Sequence, residues 1–113
     1  MMIGQYTAAG LVSENKRLAV PASVDSIPTS AMQEDHVSMG WHAARKLRRV
    51  VDNLRMIIAI EWVSAGRSLD SRAPLKPAKV TGEWLAKLRT RVAGVGPDRF
   101  LAPELQAAVD LLS

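Results

Sequence analysis

Two carboxylates and an imidazole stand side by side at Glu34-Asp35-His36, inside a polar, proline-bearing stretch that runs from Ser26 to Gly40. A carboxylate beside a helix start has two uses. It can satisfy orphan backbone amides as a cap, helped by the helix dipole, or it can act as a general base or hold a cationic substrate group. Asp35 adjoins a helix-patterned run and fits the capping role. Glu34, one residue further out, need cap nothing. The spacing of His36 and His42 does not set both on one helical face, and neither has a well-spaced carboxylate partner, so no metal site is expected. Gly94-Val95-Gly96 precedes a proline and follows no strand, which argues against a phosphate-binding loop. Glu61 lies within an apolar run where an unpaired charge is costly; an Arg partner, from this chain or another, and a structural role are expected.

The elements that must position these residues read as helices. Residues 1–17 carry Ile3, Tyr6, Gly10, Leu11 and Glu14 at helical spacing, with Lys16 and Arg17 where the dipole favours cations. Residues 18–35 lack periodicity and contain Pro21 and Pro28, which predicts a loop; loops of this length inside a small domain are more often functional than merely connecting. A long helix follows over 36–69, starting between Asp35 and Ser38, either of which could cap it. Its stripe is Ala44, Leu47, Val50, Val51, Leu54, Ile57 and Ile58, and Arg45, Arg48, Arg49, Asp52 and Arg55 lie opposite. Beyond Arg55 the run is apolar nearly all round. Residues 70–80 form a linker with Pro74 and Pro77. Residues 81–113 hold two short helices, the first capped by Thr81 and the second opened by Pro103 at its first position. Trp62 and Trp84 are expected in the core or at an interface, and Arg67 and Arg72 can serve the carbonyl end of the long helix. The fold class is all-α: an elongated helical bundle fragment with one long central helix, a shorter N-terminal helix and two short C-terminal ones.

Length and composition narrow the function classes. A chain of 113 residues has room for one core only. Hydrophobic residues make up 48% and charged residues 23%, a globular composition. There is no cysteine, which removes disulfides, thiolate metal sites and cysteine nucleophiles and agrees with a cytoplasmic setting. The first residues lack the pattern of a secretory leader, and the most apolar window, Met56 to Gly66, falls short of the roughly 20 residues of a membrane span. The net charge of +4 comes without a nucleic-acid motif or interleaved aromatics, so neither a membrane nor a nucleic acid is an expected partner. A helix of roughly 30 residues would be about 45 Å long, longer than a compact domain of this size with a radius of gyration near ~13 Å can cover. Something else must cover it.

The run Met2-Ile-Gly-Gln-Tyr-Thr-Ala-Ala-Gly-Leu-Val-Ser-Glu-Asn-Lys resembles a core helix of the histidine ammonia-lyases. Pro21-Ala-Ser-Val-Asp-Ser-Ile-Pro-Thr-Ser-Ala-Met-Gln-Glu-Asp-His-Val-Ser-Met-Gly resembles that family's C-terminal active-site loop almost residue for residue. Ala43-Ala-Arg-Lys, Ile58-Ala-Ile-Glu, Leu69-Asp-Ser-Arg and Asp98-Arg-Phe-Leu-Ala-Pro-Glu-Leu continue the likeness to the family's last segment. The resemblance implies a C-terminal part of a large helical homotetrameric enzyme that eliminates ammonia from L-histidine to give urocanate. It further implies that Glu34 is the catalytic or substrate-orienting acid, where phenylalanine lyases carry Gln, and that Gln33 is a substrate-binding neighbour. The family's electrophile, 4-methylidene-imidazol-5-one (MIO), forms from an internal Ala-Ser-Gly. None occurs here: Ala22-Ser23 continues into Val24. Met32 stands where the family usually has Asn, Val20 where it has His, and Gly66-Arg67 where it has Ala-Gln.

These readings predict a chain that is inactive alone, has no cofactor of its own, and acquires MIO only through a complementary N-terminal portion of a lyase. The alternatives are a non-catalytic helical oligomerisation or interaction module, homo-oligomeric through the long helix, and a truncated remnant of a lyase.

Overall fold

The apolar residues spaced three and four apart beyond Ala44 fold as one uninterrupted helix, and the rest of the chain is arranged along it. A computed structural model describes residues 1–113: α1 (Met2–Leu18), a single 3-10 turn (Ala22–Val24), α2 (Gly40–Asp70), α3 (Lys79–Arg89) and α4 (Ala102–Leu111). No sheet forms, and the all-α, elongated architecture is the expected one. α1 runs against the first part of α2, while α3 and α4 fold back onto its last part.

The stripe on α2 divides into two seams. Lys46, Val50, Asn53, Ile57 and Ile60 lie on the side that α1 covers, and each is buried or half-buried. Leu47, Val51, Leu54 and Ile58 repeat the same spacing one residue along and stay exposed, Leu47 at 63%. Each seam has the spacing that packs one helix against another, and this chain leaves the second one uncovered. The covered seam has a polar centre: Asn53, 4% exposed, donates from Nδ2 to Glu14 Oε2 and to Asn15 Oδ1, both at 2.9 Å. Arg49 adds an ion pair to Glu14 at 3.4 Å. A buried amide on a helix face is tolerable only when its hydrogen bonds are made, and these set the register of α1 on α2.

The core sits at the far end. Ala59 and Val63 of α2 meet Leu88 of α3, Val92 beyond it and Ala108 of α4, with Trp62, Leu105 and Leu112 around them. Gly66 lets α3 approach: a methyl there would meet Leu88 Cδ2 at 2.8 Å, so the leucine side chain fills the space that an alanine would occupy. Trp62 and Trp84 pair edge to face at 5.3 Å, and the Lys87 ammonium lies 5.2 Å from the Trp84 ring. Polar ties close this end. Asp70 accepts from Arg89 at 2.6 Å and from the Val95 amide at 3.0 Å, and Glu104 accepts from Arg99 at 2.5 Å.

The helix starts differ from the expected ones. α2 begins at Gly40 after Met39, so Asp35 lies outside it and caps nothing. Ser38 contributes only by accepting the Gly40 amide at 3.3 Å. The cause is upstream: Val37 is tied to Ser26 (below), which commits its backbone to the loop rather than to the helix. α3 begins at Lys79, placing Thr81 inside the helix rather than at its cap. In α4, Ala102 precedes Pro103, which still falls in the first turn, where an amide has no helical partner. The molecule measures 71 × 27 × 19 Å with a radius of gyration of 20.2 Å. Eight of its 113 residues are buried, so the long helix is left uncovered over much of its length. No helix is long and apolar enough to cross a membrane.

Candidate functional site

The loop between α1 and α2 is a folded-back arm. Pro21 ends the chain's run from α1, the Ala22–Val24 turn reverses it, and the Lys46 ammonium donates to the Val20 carbonyl, fastening the turn to α2. From Ser26 the chain runs out and returns by Val37. Thr29 and Glu34 form an antiparallel bridge, with Thr29 N–H to Glu34 O at 3.0 Å and Glu34 N–H to Thr29 O at 3.2 Å. At the neck, the Ser26 hydroxyl accepts the Val37 amide at 2.8 Å and donates to the Val37 carbonyl at 3.1 Å.

Between the arms of the bridge the backbone is strained. Ser30, Ala31 and Met32 have φ of 54°, 52° and 68°, and Gln33 N–H closes the turn on the Ser30 carbonyl at 3.1 Å. Consecutive left-handed residues suit Gly and Asn; none of the three is either. Strain of this kind persists only where surrounding structure over-determines it. Here it aims two consecutive polar residues, Gln33 at the end of the turn and Glu34 on the bridge.

Glu34 is exposed, its backbone fixed at both N–H and C=O, and its carboxylate enters none of the chain's ion pairs. Such a carboxylate can take a proton or seat a cation supplied from outside. Gln33 is exposed beside it and offers one acceptor and two amide donors. His36 is separate from them: it lines a shallow cleft with Ser23, Asp25 and Ser38 against the start of α2. Glu61 is exposed too, at the edge of a groove between α1 and α2 lined by Met1, Met2, Gln5 and Ile57. No Arg of this chain pairs with it. Sequence reasoning passed over Ser26 as a structural tie and Asn53 as the polar centre under α1. The signal for Asn53 was its place in line with Val50 and Ile57; a serine that pairs with a backbone eleven positions away leaves no local signal.

A family model described as aromatic amino acid lyase matches residues 1–90. The chain is 62% identical over 109 residues to a histidine ammonia-lyase of Streptomyces avermitilis and 63% identical over 111 residues to one of Streptomyces griseus. Each match covers 96% of this chain. The crystal structure of histidine ammonia-lyase from Trypanosoma cruzi superposes with a TM-score of 0.93 at 43% identity, over 98% of this chain. The chain spans only 21% to 22% of the length of these relatives.

Proposed function

This chain belongs to the aromatic amino acid lyase family, and we propose that it is the C-terminal part of a histidine ammonia-lyase-like protein, supplying the Glu34 loop to an active site that other chain segments complete. The reaction is elimination of ammonia from L-histidine to give urocanate, in histidine catabolism, and the setting is the cytoplasm. The observation that carries this reading is the loop itself. Two of its polar residues, Gln33 and Glu34, are held on a doubly tied arm, in a chain that superposes at a TM-score of 0.93 on a histidine ammonia-lyase.

Glu34 supplies the acid–base function. As a carboxylate it accepts a proton from the substrate or steadies the substrate's cationic group, and a position beside the reacting atoms makes that contact effective. Gln33 orients the substrate through its amide. The chain's residues do not fit the formation of MIO. Ala22-Ser23-Val24 lacks the glycine, and the nearest other tripeptides, Ala8 to Gly10 and Ser64 to Gly66, lie inside α1 and α2 with their backbones committed to helical hydrogen bonds. The electrophile therefore comes from a complementary N-terminal portion, and the chain alone is inactive.

The exposed seam Leu47, Val51, Leu54 and Ile58 supports the accompanying proposal that α2 packs on helices of that portion or of further copies. It also favours the second reading, a helical interaction module with no chemistry. Mixing the chain with an N-terminal lyase portion bearing Ala-Ser-Gly, and following urocanate absorbance, separates the two. The first reading expects urocanate from the mixture and none from either part. A mixture that assembles yet makes no urocanate leaves the module.

A further inference from the structure

The arm carrying Gln33 and Glu34 has ties at only two levels, and they share one register: residue 29 opposite 34 and, three steps back along each arm, residue 26 opposite 37. A regular antiparallel ladder would place another backbone rung between them. None forms. Ile27 and His36, which stand opposite each other where that rung would fall, make no cross-arm hydrogen bond, and neither do Pro28 and Asp35. The Ser26 hydroxyl takes the place of the missing rung by bonding both the N–H and the C=O of Val37. The rung at Thr29 and Glu34 closes directly onto three left-handed residues that favour opening. It holds only if the arms below it are kept together.

We propose that Ser26 is the positioning residue for Glu34: its hydroxyl sets the register of the loop and thereby the place of the carboxylate. This role rests on the reading of Glu34 given above. Ser26 itself lies at the neck, and its hydroxyl hydrogen-bonds only with Val37. Its side chain contributes no charge and no proton to the site.

Amide exchange on the full 113-residue chain, and on its assembly with the N-terminal portion, tests the tie without reference to activity. The Val37 and Glu34 amides, both hydrogen-bonded, should be protected in the native chain. Ser26→Ala speeds both by about tenfold, the scale of one lost hydrogen bond, while amides of α2 and α4 are unchanged. Ser26→Thr, which keeps the hydroxyl, restores protection. Unprotected Val37 in the native chain, or equal rates in the native chain and Ser26→Ala, overturns the proposal. In the assembly, Ser26→Ala lowers kcat with KM little changed, and Ser26→Thr recovers it. Protection lost with kcat unaffected overturns the positioning role. If Glu34→Gln also leaves kcat unaffected, the reading of Glu34 falls with it, so the two failures are distinguishable.

Discussion

Glu34 stands out as a carboxylate beside a helix start, and Gln33 only because a likeness to the lyases runs through both. What holds them is less visible. Asp35, with the better capping residue type, caps nothing, since the tie from Ser26 to Val37 holds the backbone past it in the loop and α2 starts at Gly40. Local preference was outweighed by a contact between residues distant in sequence. Met32 shows the same conflict: a long, exposed side chain sits at φ 68°. Asn accepts that conformation more readily. Met32→Asn should therefore stabilise the closed arm by about 1 kcal/mol, the scale of the left-handed penalty. Slower exchange at the Gln33 and Glu34 amides would report it, and faster exchange would contradict it.

At the scale of elements, the long helix and its apolar stripe follow from spacing alone, and the all-α class with them. Periodicity marks a face as apolar but not which neighbour covers it. That is why one stripe was expected where the structure has two seams, the first under α1 and the second open. The C-terminal turn that leads into α4 depends on Arg99 and Glu104. The hydrogen bond from Arg99 holds the Glu104 carboxyl below its ordinary range, reinforced by the charge of Arg99 and opposed by burial. A depressed folded value means that this pair contributes fully above the unfolded carboxylate value of about 4.3. The contribution is lost as pH falls through the lower folded value. The urea midpoint of the native chain should exceed that of Glu104→Gln at pH 7, and the difference should shrink progressively below about pH 4.3. A difference that persists or grows in acid would rule the pair out as its source.

The whole molecule is too extended to be its own solution to burial. A compact domain of this length has a radius of gyration near ~13 Å, against 20.2 Å here. Exposed Leu47, Val51, Leu54 and Ile58 on α2, and Ile3 and Tyr6 on α1, are the surfaces left over. Length and helix pattern were enough to foresee this mismatch but not what would cover the seam, because an apolar seam accepts many helices of the right spacing. Leu54→Glu should leave the helix content of the chain nearly unchanged, since the residue is 47% exposed, and should weaken association. Sedimentation of the native and substituted chains checks this, and equal masses for the two would place the association elsewhere.

The central claim, that this chain brings the acid of a shared active site, is tested most directly by the kcat of the assembled mixture with native chain and with Glu34→Gln, at matched assembly by size exclusion. The account expects urocanate formation with the native chain and a fall of about 10²-fold or more with Glu34→Gln, as for loss of an acid–base group. Equal rates from the two mixtures would contradict it.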